Sequence, residues 1–270
     1  MAEFRFYQVD AFAEGPLMGN PAAVMPCEAF PDEATMLAIA AENNLAETAF
    51  LVPTGAGVWD LRWFTPTVEV ELCGHATLAS AHAIWTHSNF EGDQIGFDTK
   101  SGRLTVIRRS DGQIEMDFPA KPAVKADHVP GLVEALGAEP VEVWNERSNL
   151  AVFSSADEVR ALKPDMRLLA AIPGLDGRDH GHVIATAPGD DGYDVVSRFF
   201  APGSGIDEDP TTGSAHCIIA PYWSKRLEKD ELKCFQAYPG RGGVITTVLY
   251  DERVALIGRA RTVIEGVFRL

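Results

Sequence analysis

The sequence predicts an α+β protein of two similar halves, each a curled and mostly antiparallel sheet around a central apolar helix. One observation behind this is an internal repeat, and the other is a pair of helices too apolar to face water. The clearest repeated segments are Arg62-Trp-Phe-Thr-Pro66 and Arg198-Phe-Phe-Ala-Pro202. A repeat of this length indicates that one structural plan is used twice.

Three further pairs of segments occur in the same order around these two cores. Each half has an Asn-initiated apolar segment, then an apolar strand that ends in proline, then the core, then a helix start made of small residues. The pairs are 20–24 and 149–153, 47–53 and 182–188, and 73–77 and 212–216. The ordered matches indicate an ancient duplication.

The two central helices are predicted over residues 74–85 and 213–223. Both segments are apolar nearly all round, and a helix of this kind must be enclosed on every side. With many short strands in each half, a sheet curled around the helix provides that enclosure. Pro221 is expected to end or bend the second helix, because proline lacks the N–H that an α-helix needs.

Other segments set the expected boundaries. The pattern predicts a helix over residues 32–43 and hairpins over 102–118 and 243–259. The N-terminal lobe is predicted to span 1–118 and the C-terminal lobe 131–260. Residues 119–130 contain three prolines and no periodicity, so they are expected to form the linker. Residues 261–270 are expected to form an extra strand that crosses back to the first lobe.

Composition excludes several functions. The formal charge of −16 offers no landing site for nucleic acid or an anionic membrane. Residues 1–6 lack the basic and apolar regions of a signal peptide, and no apolar run reaches the length of a membrane span. The four cysteines show no framework spacing, which is typical of reduced thiols. A cytoplasmic protein is expected.

The starts of the central helices are the candidate ligand site. Their first-turn amides lack intrahelical partners and carry the positive end of the helix dipole. If Gly74 and Gly213 face one cleft, the two helix starts form a receptor for a carboxylate. The alternative is that these glycines only permit close helix packing.

Polar side chains near the helix starts are the candidate catalytic residues. Glu47 enters an apolar strand, where a carboxylate is costly unless it is paired or has a raised pKa. Such a group is suited to proton transfer. Each residue taken alone has a structural alternative: Glu47 as a surface residue, Asp209 and Ser214 as helix caps, and His75 as a core histidine.

Three segments carry a family resemblance. Asn44-Leu-Ala-Glu-Thr-Ala-Phe50, Glu71-Leu-Cys-Gly-His-Ala-Thr-Leu-Ala79 and Asp207-Glu-Asp-Pro-Thr-Thr-Gly-Ser-Ala-His-Cys217 resemble the phenazine-biosynthesis PhzF-like family, as does Gly19-Asn-Pro-Ala-Ala-Val24. The resemblance runs over nearly the whole chain. It implies the diaminopimelate-epimerase fold, a homodimer, and isomerisation of a cyclic, amino-bearing carboxylic acid without a cofactor.

The resemblance also implies roles for matching residues. Glu47 would be the acid/base, with His75, Asp209 and Ser214 around the substrate. The amides of Gly74, Gly213 and Ser214 would hold its carboxylate. Cys73 and Thr212, at the two helix starts, complete the expected substrate-binding set.

Cys73 raises the question of a two-thiol mechanism. Epimerases of this fold place a catalytic thiol at a similar position, and a thiol at a helix start has a lowered pKa. The opposing thiol would fall at Thr212, which cannot act as a base. The sequence therefore favours one-base isomerisation through Glu47.

Other chemistry is less favoured by the sequence. Cys73, His75, His82, His87 and His216 are metal-ligand types, but they lack the paired spacing of a zinc site. No phosphate-cradling glycine motif follows a strand, so no metal or nucleotide cofactor is expected.

Two alternatives remain open for the function. One is an epimerase or racemase of an amino-acid derivative. The other is a ligand-binding relative without turnover. In each case the ligand is expected between the two halves, and nothing in the sequence identifies it.

Overall fold

The computed structural model describes residues 2–174 and 180–270. It divides into two compact units, the first formed by Met1–Asp117 with Ile257–Leu270, and the second by Phe118–Leu256. Both combine short strands with a few helices, which is the predicted α+β class. No helix in the described ranges is long and apolar enough to span a membrane.

Two helices lie among the strands of the first unit. Helix α1 (Glu33–Asn43) begins after Asp32, whose side chain accepts from the Thr35 N–H at 2.9 Å. The central helix is α2 (Gly74–His87). The strands are β1 (Glu3–Ala11), β2 (Asn20–Pro26), β3 (Glu47–Gly55), β4 (Val58–Phe64), β5 (Glu69–Val70), β6 (Gln94–Thr99), β7 (Gly102–Arg108) and β8 (Ile114–Pro119).

The second unit repeats this arrangement with additional short helices. Its central helix is α6 (Gly213–Leu227), and α3 (Leu132–Leu136), α4 (Ala156–Ala161) and α5 (Met166–Ala170) precede it. The strands are β9 (Val124–Ala126), β10 (Glu142–Asn145), β11 (Asn149–Val152), β12 (Val183–Pro188), β13 (Val195–Ala201), β14 (Ile206–Asp209), β15 (Glu231–Gln236), β16 (Gly243–Tyr250) and β17 (Arg253–Gly258). The last strand, β18 (Ala260–Arg269), belongs to the first unit.

Strand pairing follows the same order in both units. In the first, β1–β2 is antiparallel, β2–β3 parallel, β3–β4 and β4–β5 antiparallel, β4–β6 parallel and β6–β7 antiparallel. In the second, β10 to β16 pair in the same sequence of directions. The central helix follows the fifth strand of each series. The motif repeat is therefore also a repeat of topology.

The central helices are enclosed as their composition predicts. Seven consecutive residues of α2, from 75 to 81, are buried, and successive residues on an α-helix point in directions that cover the full circle. Helix α6 is buried from 215 to 220 in the same way. Buried hydroxyls on α2 bond back to the helix, as Thr77 Oγ1 does to the Cys73 carbonyl at 2.6 Å.

Helix α6 does not end at Pro221, contrary to the first expectation. It continues to Leu227. Proline removes the N–H that would bond the carbonyl four residues earlier, which is that of Cys217. That carbonyl instead accepts from the backbone N–H of Lys121 at 2.9 Å. Because the orphaned acceptor is satisfied from outside the helix, α6 tolerates the proline.

The predicted linker also needs a correction. Residues 119–130 all lie within the second unit, and β9 pairs antiparallel with β10. The prolines at 119, 122 and 130 flank this strand without interrupting it. A short proline-free stretch thus forms a strand that periodicity over three residues cannot reveal.

An arginine–carboxylate pair recurs in both units at the repeated core segment. Arg62 on β4 binds Glu69 through two 2.7 Å hydrogen bonds, and Arg198 on β13 binds Glu208 through two of the same length. Arg198 Nη1 also donates to the Leu162 carbonyl at 2.8 Å, just after α4. The side chains of Arg198 and Glu208 are only 5% and 11% exposed.

We expect Arg198→Met to lower the free energy of unfolding by about 3–5 kcal/mol, because it leaves a buried carboxylate unpaired. Arg62→Met is the matched control. Arg62 is more exposed, and Glu69 keeps Lys100 as a partner, so its loss should be smaller. Denaturant unfolding of both variants measures the difference. Equal losses of unfolding free energy in the two variants would show that burial does not determine how much this ion pair stabilises the fold.

Candidate active site

Glu47 lies at the change from helix to strand, as the sequence predicts. Helix α1 ends at Asn43, and the next residue, Asn44, has the left-handed conformation (φ 48°) and turns the chain toward β3. Asn43 Nδ2 donates to Thr48 Oγ1 at 3.1 Å and ties the turn to the strand. Glu47 is the first residue of β3, and its side chain is 12% exposed.

His75 faces Glu47 from the first turn of α2. His75 Nε2 and Glu47 Oε2 lie 3.0 Å apart. The two atoms approach without the alignment of a hydrogen bond, although both are buried. A carboxylate oxygen has two lone pairs, so Glu47 Oε2 can face His75 and still accept from a further group. The geometry suits a ligand that shares or receives a proton here.

The opposite ring nitrogen of His75 has two neighbours. Asn20 Nδ2 lies 3.3 Å from His75 Nδ1, and Cys73 Sγ lies 3.5 Å from the same atom. With the Asn20 amide as donor, Nδ1 accepts and the ring proton lies on Nε2, facing Glu47. A thiol can accept a hydrogen bond as well as donate one, so the contact with Cys73 is also compatible with a proton on Nδ1 in the charged imidazolium.

Asn20 is a site residue that the sequence analysis did not assign. It opens β2 after Gly19, which has φ 75° and whose position has no room for a side chain, because a Cβ there would lie 2.1 Å from the Ala11 carbonyl oxygen. The glycine therefore fixes the backbone that presents Asn20. The asparagine in both repeats of the segment was the available signal, but its role needs the contact with His75.

The electrostatics of the cluster favour a charged His75. Burial opposes the imidazolium, but Cys73 and Glu47 beside it outweigh burial and raise the pKa of His75 well above its ordinary value. The pKa of Cys73 is raised by burial and by the Glu47 charge. The expected lowering of this thiol pKa by the helix start is therefore wrong.

Glu47, Cys73 and His75 also form a group of metal-ligand types, with donor atoms within 4.8 Å of one another. Glu47 lies near Nε2, while Cys73 contacts Nδ1. One metal ion would bind through a single ring nitrogen, with both other ligands close to that nitrogen. The arrangement fits a chain of proton donors and acceptors better than a metal site.

The corresponding position in the second unit has different chemistry. Asp209 ends β14, is nearly buried, and forms a short hydrogen bond with Thr212 Oγ1. Gln236, which the sequence analysis did not select, organises this segment. Its Oε1 accepts from the Thr212 N–H at 2.9 Å, and its Nε2 donates to the Asp209 carbonyl at 2.7 Å.

Thr212 and Cys73 occupy equivalent places, each as the residue before its central helix. Neither residue caps its helix with its own side chain. Gly213 is buried and Ser214 is exposed at the start of α6. The residue before α2 and the residue before α6 thus leave the first-turn amides available, as a carboxylate receptor requires.

The structure brings Glu47, Cys73 and His75 together in the first unit, and Asp209 and Thr212 in the second. The other histidines considered as metal ligands are elsewhere. His82 and His87 both contact Thr262 Oγ1, at 3.1 and 2.9 Å. His216 lies in the core, where its Nδ1 contacts the Thr212 carbonyl oxygen at 2.8 Å.

The fold is shared with isomerising enzymes of low sequence identity. A crystal structure of a hydroxyproline epimerase from Agrobacterium vitis superposes with a TM-score of 0.62 at 11% identity, covering 98% of this chain and 92% of that one. This likeness concerns the fold alone. It establishes the two-lobed epimerase architecture that the sequence predicts.

The family follows from closer matches. The sequence model of the phenazine biosynthesis-like proteins (PhzC-PhzF) matches residues 9–266. An uncharacterised isomerase of Pseudomonas aeruginosa is 44% identical over 99% of both chains. A PhzF-family crystal structure from Enterococcus faecalis has a TM-score of 0.94 at 39% identity over the full length of both. The chain belongs to the phenazine biosynthesis-like family of isomerases and epimerases, as predicted.

We expect the imidazole of His75 to titrate above its ordinary pKa near 6.5, and Glu47→Gln to lower that value by removing the neighbouring charge. Because the folded pKa is raised, charged His75 stabilises the fold fully below the ordinary value. This stabilisation is lost as pH rises through the raised value. An NMR titration of the histidine-ring signals measures the pKa of His75 in both proteins.

His82 provides the internal control for this titration. Burial lowers its pKa to about 4, and it lies on α2 beyond the Glu47 contact. Its signal should be the same in wild type and Glu47→Gln. A His75 pKa that did not fall in the variant would mean that the carboxylate does not stabilise the imidazolium.

Proposed function

We propose that this protein is a cofactor-independent isomerase that moves a proton on a small carboxylic acid, with Glu47 as the general acid/base. The observation that carries the proposal is the buried contact between Glu47 and His75. A carboxylate and an imidazole 3.0 Å apart can share a proton, and the carboxylate can pass a proton to a third group.

His75 supports this role from the far side of the ring. Cys73 can contact Nδ1 in either charge state of the ring, and Asn20 donates to Nδ1 when the ring is neutral, so Nε2 faces the carboxylate. An imidazolium beside Glu47 compensates the negative charge of a carboxylate that acts as a base.

The proposed carboxylate receptor uses backbone groups. The uncapped first-turn amides at Gly74, Gly213 and Ser214 each offer N–H donors with the positive end of a helix dipole. Asp209 and Ser214 would contact the remainder of the substrate, and Gln236 holds the Asp209 segment in place. The location of the substrate between the two halves stays a prediction.

A two-base epimerase is the second candidate, since proteins named as epimerases share the fold. That reaction needs a second base opposite the first. The equivalent of Cys73 is Thr212, whose hydroxyl bonds Asp209 and is far too weak an acid to act as a thiol does. One-base isomerisation is therefore favoured. No nucleic acid or membrane is needed as a partner, and we place the enzyme in the cytoplasm.

We expect Glu47→Gln to keep the fold and ligand affinity but to lower proton transfer by a factor on the order of 10²–10⁴, typical of a positioned acid/base. Cys73→Ala is the matched comparison. It should cost much less, because the thiol contacts the imidazole and no thiol occupies the equivalent position. The assay follows deuterium incorporation from heavy water into cyclic, amino-bearing carboxylic acids.

The outcomes of this assay separate the candidates. Equal exchange by wild type and Glu47→Gln would move the chemistry to another residue. A larger loss in Cys73→Ala than in Glu47→Gln would support a thiol mechanism. Binding of an acid with no exchange in the wild type would favour a ligand-binding relative.

A separate prediction concerns the carboxylate receptor. Acetate and other small carboxylates should raise the melting temperature relative to chloride at equal ionic strength, because they complete the uncapped amides. Gly213→Val places a side chain at the start of α6 and should remove this effect, whereas Gly55→Val, at a site with open space around it, should keep it. Melting curves without any carboxylate response would count against the receptor.

A further inference from the structure

The first unit holds a cavity of about 680 Å³ at the end of α2 that lies away from the candidate active site. Every residue that lines it lies between positions 5 and 90, so the cavity belongs to one unit. An α-helix rises about 1.5 Å per residue, which places His87 in the cavity wall roughly 20 Å from the helix start at Gly74. The volume is that of a cleft for a small organic molecule.

The cavity is the part of the sheet interior that α2 does not fill. Successive side chains of a strand point to opposite faces of the sheet, and α2 ends at His87. Beyond that end, inward-facing side chains of four neighbouring strands form the floor and walls. They are Arg5 and Tyr7 of β1, Pro26 of β2, Leu51 and Pro53 of β3, and Trp59 of β4.

Two aromatic pairs form much of the wall. Tyr7 and His87 stack with ring centroids 4.2 Å apart, and Trp59 and Phe90 meet edge to face at 5.1 Å. Strands β2 and β3 separate the two strands that carry Tyr7 and Trp59, so the floor between the pairs is made of aliphatic and proline side chains. A planar aromatic group is the ligand that such walls favour.

Contacts outside the cavity hold these aromatic side chains in place. His87 Nε2 contacts Thr262 Oγ1 of β18 at 2.9 Å. Trp85 Nε1 donates to the Gly92 carbonyl at 2.7 Å and ties the loop that carries Phe90 to α2. Gly92 lets that loop fold closely over the ring, because a Cβ there would lie 2.5 Å from Phe90. A cleft that is already ordered loses less entropy when a ligand binds.

The cavity also carries opposite charges. Arg5 and Glu28 both line it and are both exposed. In the described part of the chain, neither side chain forms an ion pair or a hydrogen bond. The last turn of α2 lines the same cavity, and the C-terminal end of a helix attracts positive charge. The guanidinium can therefore receive a carboxylate, while Glu28 and the helix end can receive an ammonium group.

We propose that this cavity binds an aromatic amino acid. The ring lies against the aromatic walls, the α-carboxylate pairs with Arg5, and the α-ammonium group pairs with Glu28 near the end of α2. An aromatic acid or an aromatic amine would use only one of the two charges, and an aliphatic amino acid would lose the ring contacts. The inference rests on the cavity and is independent of the proposed isomerase activity, because Glu47 and His75 lie at the other end of α2.

Calorimetry with matched probes tests the recognition of each group. Free tryptophan should bind about tenfold more tightly than tryptamine, which lacks the carboxylate, or indole-3-propionate, which lacks the amine. Leucine keeps both charges and should bind roughly 2- to 10-fold more weakly than tryptophan.

Two exposed substitutions test the residues without disturbing the core. Arg5→Gln should remove the preference for tryptophan over tryptamine, and Glu28→Gln should remove the preference over indole-3-propionate. Arg109→Gln is the matched control, because Arg109 is an exposed arginine of the same unit that does not line the cavity. It should keep both preferences. Circular dichroism verifies the fold of each variant.

NMR of the histidine rings locates the bound probe. Tryptophan should shift the signals of His87, which lies in the cavity wall, and leave those of His75 unchanged. Glu47→Gln should bind tryptophan with the affinity of the wild type. Failure of the proposed isomerase activity would leave both results intact.

Three results would overturn the proposal. Tryptophan could fail to bind at concentrations up to its solubility, Arg5→Gln and Glu28→Gln could keep both preferences, or tryptophan could shift His75 in place of His87. The last result would place the probe in the candidate active site.

Discussion

The architecture depends on the burial of a whole helix within each unit. A helix buried on every side has no polar stripe, so its backbone bonds and small hydroxyl groups must be satisfied internally. Strands must then surround it, and a short curled sheet does so. Only the helix start keeps free N–H groups, because those amides have no intrahelical acceptor. The enclosure that stabilises the unit therefore also creates its one strongly anion-attracting point.

Glu47, His75 and Cys73 gain their properties from that location. The first turn of α2 carries His75 and follows Cys73, while the strand beside it begins at Glu47. In water, these side chains would titrate independently. Within the protein, Glu47 and Cys73 lie 3.0 and 3.5 Å from His75 and raise the pKa of its imidazole. In the second unit, the equivalent helix start has Thr212, and Gln236 bonds the segment before the helix. The two units therefore share their topology but carry different side chains at the equivalent helix starts.

Much of this was readable from the sequence, for physical reasons. Apolar composition around the full circle of residues 74–85 required enclosure, and repeated segments required a repeated topology. Glu47 was noticeable because a carboxylate at the start of a buried strand conflicts with its surroundings. What the sequence could not supply were long-range contacts of ordinary polar residues. Asn20 and Gln236 are common residue types, and only their contacts with His75 and Thr212 show that they position site residues. That the helix continues past Pro221 was hidden for the same reason, since the compensating donor is about a hundred residues away at Lys121.

The C-terminal strand has a consequence for the order in which the chain can fold. The second unit is continuous in sequence, so all of its segments are available once residue 256 has been made. The first unit begins earlier but receives β18, the partner of β1 along its whole length, only after the second unit has been synthesised. The half that starts first is thus completed last. During translation, one edge of β1 stays unpaired until β18 has been synthesised, and the second unit can fold before then.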